Sequence, residues 1–287
     1  MLNNKNILIT GGLGFVGSHL AATLKKKNNV YVLDNLFTGK NSNKVKGVRY
    51  NISTTNNIFK IYKNKSIDLI YHLGEYSRVE QSFDDIEKVY EFNTAPFYQV
   101  LKLAHHHKAK LIYCGSSTKF AKYDQNNIAS PYAWTKKNNT EFLKMFGRWY
   151  GLKYAITYFY NVYGEGEMAK GKYATVIAKF LSLKKEKNTF LPITKPGTQK
   201  RNFTHINDII NGLILVGKKG EGDDYGIGAS QSYNILQVAK MIGLPVKFLP
   251  RKAGNRMYGT LKTHKIKKLG WKQKYKLQDY IKQQLGT

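Results

Sequence analysis

Cysteine is almost absent from this chain of 287 residues: there is one, Cys114, and a single thiol excludes any internal disulfide framework. Long apolar runs are missing too. No stretch reaches the roughly 18 apolar residues of a membrane-spanning helix, although 42% of the residues are hydrophobic, enough for a sizeable buried core. Residues 1–6 are polar and lack the charged, apolar and small-residue sections of a secretory leader. These absences give the expectation of a cytosolic (cytoplasmic) protein, and the sequons at Asn51, Asn138 and Asn202 then read as chance matches.

Acidic residues are the other scarcity. Eighteen Asp and Glu against 47 Lys and Arg leave a formal net charge of +29. Such a field draws in anions, from nucleic acid to nucleotide phosphates. The lysines are spread along the whole chain among many asparagines, the pattern of compositional drift rather than of a basic tail. Nucleic acid is therefore not the expected partner, while a doubly negative small substrate would still be attracted.

What is present is an alternation of short apolar runs with amphipathic stretches, the βα pattern of a parallel sheet. Strands are expected at residues 6–10 (NILIT), 30–34 (VYVLD), 48–51, 68–73 (DLIYHL), 110–114 (KLIYC) and 154–159 (YAITYF). Helices are expected from the glycine-rich turn to residue 27, over 92–107, and from Pro131, a residue tolerated at the first helical position. Beyond Asn161 the pattern loosens. The reading is a doubly wound α/β domain over residues 1–160 and a smaller lobe over 161–287, some of whose segments return to the first.

Residues 10–17 read TGGLGFVG, with Gly11, Gly14 and Gly17 three apart. Such glycines let the backbone approach a pyrophosphate, and the helix that follows aims its N–H groups at the charge. The context is right: a strand precedes, a helix follows, and Asp34 ends the next strand 20 residues after Gly14. A carboxylate there accepts hydrogen bonds from ribose hydroxyls and repels an added phosphate, which favours NAD over NADP. Nearby Lys40 would soften that repulsion.

Residues 130–136 read SPYAWTK, setting Tyr132 and Lys136 on one helical face at i and i+4. A tyrosine of ordinary pKa, about 10, is a poor base near neutrality. An ammonium beside it favours the phenolate and makes the pair a workable acid–base group. Ser116 and Ser117 follow the fifth strand directly, where a serine can hydrogen-bond a reacting hydroxyl.

With these residues in view, the sequence resembles the extended short-chain dehydrogenase/reductases that act on nucleotide sugars, over nearly its whole length. The resemblance runs through TGGLGFVG, DNLFTGK from Asp34, YHLGEYSRVEQSF from Tyr71, SPYAWTK, YNVYGEGE from Tyr160, KRNFTHINDI from Lys200 and the late LGW at 269–271. It implies a Rossmann fold with NAD as cofactor and Ser117, Tyr132 and Lys136 as the catalytic group. Gly11, Gly14, Phe15, Val16, Gly17, Asp34, Asn35, Leu73 and Asn93, with Tyr132 and Lys136, would hold the cofactor. Ser117, Asn161, Val176, Arg201 and Arg256 would meet the substrate, Arg201 near its diphosphate. It further implies a homodimer built on the helices around 92–107 and 131–150.

The wording narrows the reaction less than the family. GKYATVIAKF from Gly171 resembles a segment of UDP-N-acetylhexosamine 4-epimerases, whereas GEYSRVEQ and EGEMAKGKYATV are also similar to heptose 6-epimerases. The family's 4,6-dehydratases carry an Asp-Glu pair beside the catalytic hydroxyl residue; this chain has Thr118 and Lys119 after Ser117. The expectation is thus a UDP-hexose or UDP-N-acetylhexosamine 4-epimerase. A reductase or an epimerase at another carbon, and a non-catalytic basic binding protein, are the alternatives. Three departures stand out: a shortened loop after Ser117, Tyr158 for an arginine, and Asn51 for an aspartate at the adenine. Glu75 replaces a frequent alanine and is open to two readings, a specificity residue or a solvated charge on the rim. The run His105–His107 closes a helix, where cations suit the macrodipole; adjacent positions diverge, so no metal site is expected. Trp134, Phe142 and Trp149 read as core or interface.

Overall fold

The computed structural model of the chain describes residues 2–120, 130–251, 257 and 259–286. Its first half lays down β1 (Asn6–Thr10), α1 (Phe15–Leu24), β2 (Asn29–Asp34), β3 (Arg49–Ile52), α2 (Ile58–Tyr62), β4 (Leu69–His72), α3 (Ile86–Asn93), α4 (Ala95–His106), β5 (Lys110–Ser116), α5 (Pro131–Tyr150) and β6 (Tyr154–Phe159). The second half adds β7 (Val162–Tyr163), α6 (Val176–Lys185), β8 (Leu191–Thr194), β9 (Lys200–Arg201), β10 (Thr204–His205), α7 (Ile206–Lys219), β11 (Gly222–Ile227), β12 (Tyr233–Asn234), α8 (Ile235–Ile242), β13 (Val246–Leu249), α9 (His264–Lys268) and α10 (Leu277–Leu285).

Seven strands form one parallel sheet in the order β11-β6-β5-β4-β1-β2-β3. The chain winds outward from β1 in one direction and from β4 in the other, so a crevice opens at their carboxyl ends. This is the doubly wound Rossmann architecture. Strand β1 explains its own place at the centre. Ile7, Leu8 and Ile9 are fully buried, as a parallel strand covered on both faces requires. Side chains alternate across a strand. Ile7 and Ile9 therefore join Leu20 of α1 and Leu213 of α7 on one side, while Leu8 joins Leu101 of α4 and Leu143 of α5 on the other. A separate core under α6, α8 and α10, with Phe180, Val238 and Ile281, supports the wall facing the crevice.

Local chemistry sets the element ends. Ser130 caps α5 by accepting from the Ala133 N–H at 3.1 Å, and Gly151, left-handed at φ 66°, ends it. The single helix expected over 92–107 is instead two, α3 and α4. Pro96 has no N–H to give the carbonyl four residues back, so the helix breaks there. His106 and His107 at the end of α4 meet the carbonyls of Lys63 and Tyr62 at 3.0 Å. The LGW segment is an anchor: Trp271 Nε1 donates to the Asp208 carbonyl at 2.9 Å, and the Asp208 carboxylate accepts from the Lys274 and Tyr275 N–H groups. Among the described residues no helix is long and apolar enough to cross a membrane.

Candidate active site

The crevice at the ends of β1, β4 and β5 is a cleft of about 680 Å³, within the usual range for small-molecule sites. At its floor the TGGLGFVG turn binds back on itself. Gly11 adopts φ +68°, and a Cβ there would lie 2.8 Å from Gly74; a Cβ on Gly17 would lie 2.1 Å from the Gly11 carbonyl oxygen. Only glycine lets strand, turn and helix approach this closely. Helix α1 begins at Phe15 behind the N-cap Gly14 and has no side-chain cap, so its first N–H groups, at residues that line the cleft, are unclaimed by a capping side chain. Asp34 holds the turn from β2: its Oδ2 accepts from the Leu13 N–H at 2.9 Å and its Oδ1 from the Leu36 N–H at 2.8 Å. The Gly14 N–H also bonds this carboxylate, so of its about four acceptor positions the backbone takes three and one is left for a ligand's hydroxyl. Burial pushes the Asp34 carboxyl above its ordinary value, against those backbone hydrogen bonds.

Opposite the turn, α5 presents Tyr132, Lys136 and Asn139 on one buried face. The Tyr132 hydroxyl hydrogen-bonds with Ser116, the last residue of β5. Sequence reasoning ended that strand at Cys114; two further residues pair with β6, Gly115 with Tyr158 and Ser116 with Phe159, and carry Ser116 to the phenol. Ser117 is buried and lines the same cleft. Thr118 turns its hydroxyl to Ser116 Oγ at 2.8 Å.

Glu75 overturns the reading of a solvated rim charge. Its side chain is 1% exposed and lies beneath Lys136, with Oε2 2.5 Å from Nζ. The same oxygen accepts from the Tyr113 hydroxyl at 3.0 Å, while Oε1 accepts from Asn139 Nδ2 at 2.9 Å and meets His72 Nε2 at 3.2 Å. All four acceptor positions are thus filled. Thr10 fixes the histidine: its hydroxyl accepts from the Leu73 and Gly74 N–H groups, so its own hydrogen goes to His72 Nδ1 at 2.7 Å and Nε2 donates to Glu75. Burial works to raise the Glu75 carboxyl, but Lys136 and His72 outweigh it and hold it below the usual range. Burial works to lower Lys136, and Glu75 and Tyr132 together hold it above the usual lysine value. Lys136 also donates to the Cys114 carbonyl at 2.6 Å. For Tyr132 burial dominates and raises the phenol, opposed by Lys136 and Ser116.

The residues singled out in the sequence mostly converge. Gly11, Gly14, Phe15, Val16, Gly17, Asp34, Asn35 and Leu73 line one half of the cleft, and Ser117, Tyr132 and Lys136 its centre. Asn161, Val176 and Arg201 line the other half. Asn93 is not brought to the wall. It is fully buried, its Oδ1 accepting from the Tyr76 N–H at 2.6 Å and its Nδ2 donating to Thr135 Oγ1 at 3.0 Å, and it serves to join α3 to α5. Arg256 and residues 121–129 of the loop after Ser117 lie outside the described residues. Asn51 donates to the Tyr62 hydroxyl at 2.9 Å, and Tyr158 donates to Asp223 at 2.6 Å.

Among the lining residues that sequence reasoning missed are Arg78 and Glu167. Arg78 donates through Nε and Nη2 to the Tyr173 carbonyl, at 3.1 and 2.9 Å, tying the segment after β4 to the one before α6. Glu167 accepts from the Gly164 N–H at 3.1 Å, and burial lifts its carboxyl to about 7. Neither could be found by local spacing, because their partners or their burial come from the fold.

The sequence profile of the NAD dependent epimerase/dehydratase family matches residues 7–228, which spans the sheet and both sides of the cleft. The chain belongs to this family. A Methanocaldococcus jannaschii protein that carries a provisional UDP-glucose 4-epimerase name is 30% identical over 297 residues, covering 96% of each chain. The dTDP-D-glucose 4,6-dehydratase of Bos taurus is 27% identical over 316 residues, covering 97% of this chain and 87% of that one. In three dimensions the chain is similar to the UDP-N-acetylglucosamine 4-epimerase of Methanobrevibacter ruminantium M1, solved with UDP-N-acetylmuramic acid. The TM-score is 0.89 at 24% identity, over 99% and 98% of the two chains. The family's cofactor is NAD, and the glycine cradle, the open α1 terminus and the remaining acceptor position of Asp34 fit it.

Replacing Gly17 with alanine forces a Cβ into the Gly11 backbone and must open the turn. Isothermal titration with NAD should show affinity weakened at least about tenfold, or ~1.4 kcal/mol, while circular dichroism stays native. Unchanged affinity would remove the turn from the cofactor site.

Proposed function

We propose that this family member is a nucleotide-sugar 4-epimerase, acting on a UDP-linked hexose or N-acetylhexosamine through a 4-keto sugar. The observation that carries the reading is the make-up of the catalytic centre: a buried tyrosine on an ammonium and a serine, followed by a threonine hydroxyl where elimination would need carboxyl groups. The similarity to proteins named for UDP-glucose and UDP-N-acetylglucosamine 4-epimerisation supports the UDP part.

Gly11, Gly14, Phe15, Val16, Gly17, Asp34, Asn35 and Leu73 would hold NAD, which when bound supplies a hydride acceptor and donor for one sugar carbon. In the proposal Tyr132 takes the proton from the sugar 4-hydroxyl as that carbon is oxidised. Lys136 steadies the phenolate, and Ser116 or Ser117 hydrogen-bonds the reacting oxygen or the tyrosine. Once the keto sugar has turned over in the cleft, Tyr132 returns its proton to the oxygen and the other epimer leaves. Neither an oxidant nor a base is consumed. Asn161, Val176 and Arg201 form the substrate wall, with the arginine suited to the diphosphate.

The helix faces left open support a homodimer. Tyr98 on α4 and Trp134, Phe142, Trp149 and Tyr150 on α5 are 37–63% exposed, so the three residues read as core or interface do not serve a core. Exposed aromatics gathered on two helices in this way suit an association surface.

Two measurements follow. Tyr132→Phe should lower turnover of UDP-hexoses about 10²- to 10⁴-fold and leave NAD binding intact; near-normal turnover would remove Tyr132 from the chemistry. Sedimentation at micromolar concentration should give twice the chain's 32.9 kDa, and a monomer there would contradict the homodimer.

A further inference from the structure

Glu75 is the one carboxylate in direct contact with Lys136 among the described residues, and it has no part in the mechanism above. We infer that Glu75 is a positioning residue that fixes Lys136 in place and cancels its charge toward Tyr132. The inference rests on the acid–base role proposed for Tyr132.

Three elements build the arrangement. Strand β4 contributes His72 and leads directly to Glu75; β5 contributes Tyr113 and the Cys114 carbonyl; α5 contributes Lys136 and Asn139. With Glu75 at 2.5 Å and the Cys114 carbonyl at 2.6 Å, two of the three ammonium N–H groups are spoken for, and the side chain has little freedom left. A solitary buried ammonium acts on a neighbouring phenol as a full positive charge. Joined to a carboxylate, it acts as a dipole whose field falls off faster, so less of it reaches the phenol. Tyr132 keeps its proton more firmly than a tyrosine beside a bare lysine.

The other groups around the pair do not replace that effect. Tyr113, itself lifted far above the usual phenol value by burial and by Glu75, stays a donor. Burial pushes the Cys114 thiol up to about 11, so it remains uncharged near neutrality. Asn139 and Ser116 are neutral. Arg78, a further cation whose own charge senses Tyr132, is held by the Tyr173 carbonyl on the far wall. Glu75 is therefore the group whose removal changes the charge next to Lys136.

The direction of the effect follows. Neutralising Glu75 leaves Lys136 facing Tyr132 and the Cys114 thiol, which burial keeps protonated near neutrality, so the change favours the phenolate and moves its formation to lower pH. The experiment titrates phenolate absorbance of the full-length protein without substrate, each form referenced to the same form carrying Tyr132→Phe. Glu75→Gln should lower the Tyr132 midpoint by at least about one pH unit, a tenfold change in the equilibrium. Glu75→Asp, which keeps the charge, should hold the parental midpoint. An unchanged or raised midpoint in a Glu75→Gln protein of native circular dichroism overturns the inference. If that variant does not fold, Glu75→Ala is read the same way, and failure of both to fold assigns Glu75 to the fold alone and also overturns it. Normal turnover by Tyr132→Phe would sink the proposed reaction yet leave this titration readable, so the two failures are distinguishable.

Discussion

A carboxylate and an ammonium taken out of water together cost several kcal/mol each unless every lone pair and N–H finds a partner. Glu75 and Lys136 meet that demand with donors and acceptors from β4, β5 and α5, and Thr10 of β1 reaches in through His72. The network closes only if β1, β4 and β5 lie side by side in register and α5 presents the correct face. Breaking one member leaves a buried charge without its partner, which is far more costly than losing an exposed ion pair. The pair thus ties the geometry of the cleft to the integrity of the sheet.

That sheet also explains why the proposed cofactor and substrate would meet here. The order reversal between β1 and β4 opens the crevice, the glycine turn brings the α1 terminus to its floor, and α5 leans Tyr132 over it from the other side. The far wall is assembled from the segments around α6 and β9, fastened back to the first half by contacts such as Arg78 on Tyr173 and the Tyr173 and Lys172 hydrogen bonds to Asp85. A reacting sugar between these walls would be shielded from water while its diphosphate reached basic residues at the rim.

Much of this was legible in the sequence because its signals are local. TGGLGFVG, the spacing from Gly14 to Asp34, and Tyr132 four residues before Lys136 each encode a single turn, strand end or helix face. The role of Glu75 was not legible. Its partners Tyr113 and Asn139 lie 38 and 64 residues away, and no spacing rule brings them together. The sequence points to Ser116 and Ser117 together and the resemblance to Ser117; which of them reaches Tyr132 depends on how far β5 stays paired with β6. Asn93 reads as a cofactor contact from the family resemblance alone; here the Tyr76 N–H after β4 and Thr135 of α5 claim its amide. The break at Pro96 was readable from proline's missing N–H, and the continuous amphipathic pattern hid it.

The central claim is that one hydride leaves and returns to the same sugar carbon while Tyr132 handles the proton. Incubating the enzyme with a UDP-hexose deuterated at C4, in ordinary water, tests this directly by mass spectrometry and NMR of the product. The account predicts a C4 epimer of unchanged mass with deuterium retained at C4. Loss of the label to solvent, or a product lighter by one water, would contradict it.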